Sequence, residues 1–542
     1  METIMSNIMF FSFSLPFLFA LVVTMLIGVL TAAQRLHNNN KNKNNKRKKK
    51  SPAATAAQLP PGPKGWPLVG CLPQILRNNP PAFRWIHNFM VESNTDIARI
   101  RLGSVNVIAV SSPDLARDIC RSSDFLSRPR CVSASMISNG YLTSIFLPVN
   151  DDQWTKMRRI LTSHVLSPAA IRAHYDKRME EANHLVLSIY TQCTRENAAG
   201  GGVNLRAITR GYAGNIAKRV LLGCGGTEDE ELVEAMFTIL RYVFGFGVAD
   251  YVPWLGIFDI DGHQRIIKRA ISVTAKHFDA EVDKRIQMWK DGRRTVENDV
   301  VDALIMLKDN NGRPLLTHEE IKTQIVEMIL AAVDNASNAA EWAMAEMMSK
   351  PELMKRAVED VDGVVGSERR FVQESDLPKL NYIKACLKEA FRLHPVGPFT
   401  PPRESTADAI VGGYFIPKGS QVILNRIGIG RDARTWEEPL EFRPERHLGQ
   451  GEEEAVEVAL TDPEMKLVSF SAGRRGCPAG KLGTLMATML LARLVHSFTW
   501  SPPPGSSRID LSEAEDALFL QTPLHAVAKP RLDPDLYNNL MN

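Results

Sequence analysis

The sequence predicts a mainly α-helical domain with small β-sheets, preceded by an N-terminal transmembrane helix. Residues 174–308 follow a mainly helical pattern, and no proline interrupts the chain between Thr317 and Pro351. Apolar residues alternate through residues 97–110 on both sides of a Gly103-Ser104 turn, which is typical of a β-hairpin. The membrane helix is predicted from an uncharged apolar run at the start of the chain.

This run extends from Met9 to Ala33, and a span of roughly 20–25 apolar residues is enough to cross a bilayer. Lysines and arginines follow it between residues 35 and 50, which places the downstream chain in the cytosol. A cleaved signal peptide is the alternative, but it requires positive charge before the apolar run, and Glu2 is the only early charge. We therefore expect a signal-anchor over residues 1–34.

Residues 35–70 are expected to form a basic tether and a stiff hinge. The stretch from Leu59 to Gly70 contains several prolines and glycines, which restrict the backbone and turn it. Residues 71–542 then form one catalytic domain, because no low-complexity linker divides them.

Charge and cysteine content exclude some classes of protein. The net charge is +4, and much of the positive excess lies in the basic tether, so nucleic acid is not an expected partner. The 7 cysteines are scattered, odd in number and without a C-x-x-C pair. They indicate reduced residues of a cytosol-facing protein rather than a disulfide framework or a zinc site.

The loop from Phe470 to Gly480 holds a single cysteine, Cys477, between glycine-rich turn residues and a proline. Pro478 suits the first position of a helix, so the thiol is expected just before a helix N-terminus. The helix dipole, together with Arg474 and Arg475, should lower the thiol pKa. An electron-rich thiolate is what haem iron requires as an axial ligand for O–O cleavage. An isolated cysteine here would more often be an ordinary buried residue.

The helix predicted from Thr317 begins with capping-box spacing and runs for about 30 residues, or of order 50 Å. Small residues in its middle, from Ala331 onward, leave room for a flat ligand. Asp334 and Asn335 add polar groups there, which are costly in an apolar helix without a role or a partner.

Two further pairs are predicted to face one another on helices. Trp154 and Arg158 lie one turn apart, so an indole N–H and a guanidinium could both reach an anionic group. Glu389 and Arg392 have i, i+3 spacing, and Arg446 could join the same carboxylate. Each pattern is weak alone, because surface helices often carry such pairs.

The spacing Phe470-x-x-Gly473-x-Arg475-x-Cys477 resembles the haem-binding loop of the cytochrome P-450 superfamily, the haem-thiolate monooxygenases. The other motifs precede it in the family's order, so the resemblance covers nearly the whole chain. It implies the family's fold and haem b with Cys477 as the iron ligand. It also implies that Glu389, Arg392 and Arg446 fix the cysteine loop. Four residues are implied to hold the propionates: Trp154, Arg158, Arg403 and Arg475.

The same resemblance implies O2 as co-substrate and electrons from NADPH through a flavoprotein reductase. We expect that reductase to dock on the basic face near Arg474, Arg475 and Lys481. Membrane lipid is the expected partner of the N-terminal helix, in a single-pass endoplasmic reticulum protein. The family's glycine two residues after the cysteine is Ala479 here, a small replacement that does not indicate loss of haem.

The segment Asp334-Asn335-x-Ser337-Asn338-Ala339 resembles the plant amino acid N-monooxygenases, which form aldoximes. Most members of the superfamily have threonine at Asn335, and an amide can hold water but cannot shuttle a proton as a hydroxyl does. The resemblance implies conversion of an L-amino acid to its aldoxime by two N-hydroxylations, dehydration and decarboxylation, for glucosinolate or cyanogenic pathways. Asp334 and Asn335 are the expected catalytic residues. The expected substrate pocket contains Ala331, Asn338, Thr400 and Phe519.

Three positions depart from that group. Ala336 replaces its usual proline, and Thr400 and Arg403 replace its usual asparagine and histidine. Two alternatives remain open, and these departures bear on the second. One is a monooxygenase of another small molecule, such as a terpenoid or a phenylpropanoid. The other is a haem-binding protein without turnover.

Overall fold

The computed structural model describes residues 57–77, 81–149, 151–195, 202–225, 229–243, 245–366, 370–449, 457–503, 505–506 and 508–541. The chain divides into two units, Met1–Gln58 and Leu59–Asn542. The predicted membrane anchor and the basic part of the tether lie outside the described residues. The second unit is mainly helical with small sheets, as the sequence predicts.

The helices before the middle of the chain include a long helix, His263–Lys290, which packs on the helix Glu230–Val243. Their bounds are α1 Leu72–Leu76, α2 Ala82–Glu92, α3 Pro113–Arg121, α4 Val132–Ile137, α5 Asp152–Ile160, α6 Pro168–Ala173, α7 Tyr175–Arg195, α8 Leu205–Leu222, α9 Glu230–Val243, α10 Val248–Tyr251 and α11 His263–Lys290.

Most helices in the second half contribute to the largest hydrophobic core of the described residues. Their bounds are α12 Val300–Met306, α13 His318–Ala332, α14 Asn335–Ser349, α15 Pro351–Val365, α16 Asn381–Leu393, α17 Arg426–Gly430, α18 Gly480–Ser497 and α19 Pro534–Asn538. Helix α14 packs against α8, α16 and α18, so it lies at the centre of this core.

The strands form small sheets of four, three and two strands, with orders β1-β2-β7-β4, β3-β9-β8 and β5-β6. The predicted hairpin is confirmed, because β1 and β2 pair antiparallel. Strand β7 pairs parallel with β2 and antiparallel with β4. The bounds are β1 Ile97–Leu102, β2 Val105–Val110, β3 Val203–Asn204, β4 Arg403–Glu404, β5 Ala409–Val411, β6 Tyr414–Ile416, β7 Gln421–Leu424, β8 Phe498–Ser501 and β9 His525–Pro530.

One stretch in the described part of the chain, Glu230–Tyr251, is long and apolar enough to cross a membrane. Its first helix, α9, buries Leu232, Met236 and Ile239 and packs against α11. The core of the domain therefore accounts for its apolar character, and it is not the N-terminal helix that the sequence predicts.

The predicted single rod from Thr317 is two helices, because Val333 and Asp334 interrupt it. The capping box at Thr317 and Glu320 is confirmed. At the break, the Ser337 hydroxyl donates to the carbonyl oxygens of Val333 and Asp334, at 3.0 and 2.9 Å. Side chains that bond to helix carbonyls in this way bend helices, which explains the interruption without a proline.

Candidate functional site

The loop around Cys477 is held by its own backbone. A short 3₁₀ turn spans Gly473–Arg475, and the Cys477 N–H donates to the Phe470 carbonyl oxygen at 2.8 Å. Helix α18 begins at Gly480, two residues later than Pro478. The prediction that Pro478 opens the helix was therefore wrong, and the thiol precedes a turn rather than the helix itself.

Gly473 is required by the shape of this loop. Its φ is +70°, and an added Cβ would lie 2.5 Å from the Cys120 carbonyl oxygen. An L side chain would be strained by this backbone and would also collide with fixed backbone. The Phe470 ring lies against Gly480 and Gly483, which joins the loop to the start of α18.

Part of the Cys477 side chain is exposed, but enough protein groups surround the thiol to desolvate it. Burial raises its pKa, whereas the N–H of Ala479 and the charges of Arg158 and Arg426 lower it. The prediction of a lowered pKa for the free thiol was therefore wrong, because burial outweighs the positive charges. The charges that act on the thiol are also not those of Arg474 and Arg475.

Trp154 and Arg158 lie on α5 against the cysteine loop. The Arg158 guanidinium donates to the Gly476 carbonyl oxygen at 2.7 Å. The buried Trp154 ring contacts the guanidinium groups of Arg474 and Arg475, at 5.3 and 4.6 Å from its centroid. Helix α5 and the loop are thus joined immediately before Cys477.

Arg475 and Arg403 are both buried, and each donates to backbone carbonyls, whereas Arg403 also donates to the side chains of Cys120 and Ser471. Arg475 donates to the carbonyl oxygens of Leu126 and Leu147. Burial, followed by the charges of neighbouring arginines, lowers its pKa to about 9. Arg403, at the start of β4, donates to the Phe125 carbonyl oxygen at 3.3 Å.

Two arginines that the sequence analysis missed belong to the same region. Arg128 is buried and donates to the carbonyl oxygens of Pro401 and Pro402, at 2.7 and 2.8 Å. The charges of Arg403 and Arg475 contribute to lowering its pKa, after burial. Arg426 acts on Cys477, and its buried Nε bonds to no described residue. No sequence pattern marks either arginine, because their proximity arises only on folding.

This arginine cluster fits a haem. The structure records no ion pair to a described carboxylate for any of its members, Arg128, Arg158, Arg403, Arg426 and Arg475. Buried guanidinium groups that repel one another need an anion, and haem propionates supply two carboxylates. The adjacent Cys477 thiol is the type of ligand that haem iron accepts.

Two exposed residues lie among mostly buried ones at the middle of the broken helix. Ala331 and Asn335 are exposed, although most residues around them in α13 and α14 are buried. The Asn335 Nδ2 donates to the Ala331 carbonyl oxygen at 2.8 Å. These residues therefore border an open space beside the middle of the helix.

Asp334 and Asn338 are buried on this helix pair. Burial raises the pKa of Asp334 to about 7, and its Oδ1 bonds to no described residue. Both polar atoms of the Asn338 side chain also lack a described partner. Buried polar groups without partners are rare, so these atoms are candidates for bound water or substrate.

The other expected pocket residues are spread out. The Thr400 hydroxyl accepts from the Leu424 N–H at 3.2 Å, which ties it to β7. The Phe519 ring packs edge-on against Phe237, with centroids 6.4 Å apart. Thr400 and Phe519 therefore contact different elements of the domain.

The carboxylate of Glu389 lies at the centre of a buried network. Arg392 donates to both of its oxygens, at 2.9 and 2.7 Å, and Arg446 donates to one at 2.9 Å. His447, which sequence reasoning missed, lies 2.7 Å from the other oxygen. Arg392 also donates to the Pro439 carbonyl oxygen, so the network holds the segment between α17 and the cysteine loop.

A helical core, a cysteine loop and a cluster of arginines with no ion pair among the described residues fit a haem-thiolate monooxygenase. Residues 60–529 match the cytochrome P450 family, and the chain belongs to it. The family implies a haem iron cofactor, O2 as co-substrate, electrons derived from NADPH, a redox partner and a small-molecule substrate.

Curated relatives cover most of the chain. Valine N-monooxygenase 1 of Manihot esculenta is 48% identical over 492 residues, 88% of this chain and 89% of the relative. Phenylalanine N-monooxygenase of Arabidopsis thaliana is 47% identical over 494 residues, 88% and 92% of the two chains. Tyrosine N-monooxygenase of Sorghum bicolor is 46% identical over 495 residues, 89% and 88%.

Proposed function

We propose that this protein converts an L-α-amino acid to its aldoxime by two successive N-hydroxylations, dehydration and decarboxylation, in plant specialised metabolism. The observation that carries the proposal is Asn335, an amide at the open middle of the central helix. Relatives named for valine, phenylalanine and tyrosine N-monooxygenation support the reaction class. Because their named substrates differ, they support no particular side chain.

Within this proposal, Cys477 ligates the haem iron in the loop that begins at Phe470 and turns at Gly473. Trp154, Arg158, Arg403 and Arg475 hold the propionates, and Arg128 and Arg426 add to the same positive charge. Support comes from the lack of recorded ion pairs to these arginines in the described ranges and from the effects of Arg158 and Arg426 on the thiol. The bound haem supplies the activation of O2.

Asp334 and Asn335 are proposed to organise water and protons beside the oxygen site. A carboxyl whose pKa is about 7 can accept or donate a proton near neutral pH, and Asp334 has a free Oδ1. The bond to Ala331 fixes the Asn335 amide, so its oxygen can hold a water molecule. Ala331, Asn338, Thr400 and Phe519 remain proposed pocket residues.

We further propose the expected cellular arrangement. Residues 1–34 anchor the protein in the endoplasmic reticulum membrane, residues 35–70 connect the anchor, and residues 71–542 act in the cytosol. A flavoprotein reductase delivers the electrons at the basic face near the exposed Arg474. The charge order of the first fifty residues supports this orientation.

The test is mass-spectrometric detection of aldoximes from microsomes that contain this protein and a plant reductase, fed each protein amino acid in turn. We expect one or a few matching aldoximes, with loss of the product in Cys477→Ala. Absence of any aldoxime, with the CO difference spectrum showing intact haem-thiolate, would overturn the proposal. In that case, NADPH consumption would separate another monooxygenase from a haem protein without turnover.

A further inference from the structure

Arg493, on α18, is a buried cation with no hydrogen-bond partner among the described residues. The residue is 1% exposed, and its buried Nε and Nη1 atoms bond to no described residue. The guanidinium lies 5.0 Å from the centroid of the Phe371 ring. Because a buried charge without a partner is costly, this arrangement requires an explanation.

The carboxylate that acts electrostatically on Arg493 already has another partner. Asp376 acts electrostatically on Arg493, but its two carboxylate oxygens accept from Arg370 at 2.9 and 2.6 Å. Burial lowers the pKa of Arg493 to about 10, so the group remains charged at neutral pH. The positive charge therefore lacks a counter-ion among the described residues.

Arg493 lines a cavity of about 350 Å³ between α7, α18, α19 and the segment before α16. Its apolar lining residues are Met179, Phe371, Leu536 and Leu540. The polar lining residues besides Arg493 are Tyr175, Asn183, Arg370, Gln373 and Asn539. Cavities of this size, with mainly apolar walls and a few polar groups, are typical of small-molecule sites. The cavity thus combines apolar side chains with two cations, of which Arg370 pairs with Asp376 and Arg493 has no described carboxylate partner.

This cavity is separate from the cysteine loop along α18. Arg493 lies thirteen residues after Gly480, where α18 begins, which corresponds to roughly 20 Å along a helix. None of the residues that line the cavity is part of the arginine cluster or of the broken central helix.

We propose that this cavity is a second ligand site, which binds a small organic carboxylate with an apolar body. The carboxylate accepts hydrogen bonds from the Arg493 guanidinium, whose planar donors match its geometry. The apolar body of the ligand packs against Phe371, Met179 and Leu536. No covalent step is involved, and the proposal does not depend on the reaction at the haem.

The test uses full-length holoenzyme in detergent and 3-phenylpropionate as the probe, measured by isothermal titration and thermal unfolding. We expect binding and a higher melting temperature without a change in the haem Soret band, which reports on the substrate space. The neutral 3-phenylpropanamide should bind at least about tenfold more weakly, because it lacks the charge. Inorganic phosphate should also bind more weakly, because it lacks the apolar body.

Two variants locate the site. Arg493→Met, which removes the charge, should lose probe binding. Asn539 is an exposed residue on the cavity wall, and Asn539→Trp should abolish probe binding because the larger side chain fills the cavity. This variant tests the site if Arg493→Met does not fold. Lys466→Met, whose recorded ion pair is on the surface, is the control and should bind normally.

Unchanged probe affinity in either folded cavity variant would overturn the proposal. Equal affinity for the neutral amide would also overturn it, as would binding that shifts the Soret band. Phosphate binding as tight as that of the probe would contradict the organic ligand class.

Discussion

The side-chain Nδ2 of Asn335 donates to the backbone carbonyl oxygen of Ala331, 2.8 Å away and one turn earlier in the chain. This bond leaves the amide oxygen as the group available to the open space. Asn335→Thr would keep a donor for the Ala331 carbonyl, because threonine hydroxyls form the same backbone bond, but would remove the amide oxygen. We expect aldoxime formation to fall about tenfold, equivalent to about 1.4 kcal/mol in activation free energy, with an unchanged CO spectrum.

The control is Thr323→Val. Thr323 makes the same type of bond, to the Glu319 carbonyl oxygen at 2.7 Å, three turns before Asn335. Its loss should leave aldoxime formation near the wild-type rate. Equal losses in both variants would contradict a specific role of the Asn335 amide oxygen.

Gly473→Ala should prevent stable haem incorporation. The substitution places a Cβ 2.5 Å from the Cys120 carbonyl oxygen, in a backbone conformation that costs an L residue about 1–2 kcal/mol by itself. Gly413→Ala is the matched control, because Gly413 has φ +79° but no atom within 4 Å of its Cβ position. The haem-to-protein absorbance ratio should fall in Gly473→Ala and remain normal in Gly413→Ala. A normal ratio in both variants would contradict the proposed role of this close contact.

Arg403→Met should change the haem-free and haem-bound proteins in opposite directions. Without haem, the substitution removes one of several neighbouring buried positive charges. The charge of Arg403 lowers the pKa of Arg475, so its loss reduces repulsion and the melting temperature should rise. With haem, it removes a proposed propionate partner, so transfer of haem to an acceptor protein should be faster. Arg434→Met is the surface control, because that arginine pairs with Asp96 and Asp432. Unchanged haem transfer would remove Arg403 from the propionate site.

Glu389 should make stability depend on pH in the acid range. Burial alone would raise its pKa, but bonds from Arg392 and His447 lower the pKa to about 2, below the ordinary 4.5. Its contribution is therefore complete above about pH 4.5 and is lost as the pH falls toward 2. Glu389→Gln should lower the free energy of unfolding at pH 7 by about 3–5 kcal/mol, because the arginines lose their partner. Urea unfolding at pH 7 and at pH 3 measures both effects.

Glu437→Gln is the control for this experiment. Glu437 pairs with Arg443 on the surface, and its side chain is 79% exposed. Its loss should leave the unfolding curve unchanged at both values of pH. A pH dependence in Glu389→Gln as steep as in the wild type would show that other groups cause the acid sensitivity.

The sequence alone determined the local elements, because their causes are local. The Gly103-Ser104 turn with its alternating flanks defines the β1–β2 hairpin, and Thr317 with Glu320 defines the start of α13. The spacing from Phe470 to Cys477 identified the family, since those residues lie in one loop. The i, i+3 spacing of Glu389 and Arg392 likewise gave an ion pair that the structure contains.

Only the tertiary structure decided features that depend on burial and on distant contacts. The pKa of the Cys477 thiol is raised because the surrounding protein groups desolvate it more than the nearby charges compensate, and these surroundings cannot be read from the loop. Arg128 and Arg426 join the arginine cluster from positions almost three hundred residues apart in sequence. Arg493 is an ordinary helix residue in the sequence, and only the packing of α18 against distant segments leaves its charge without a carboxylate partner among the described residues.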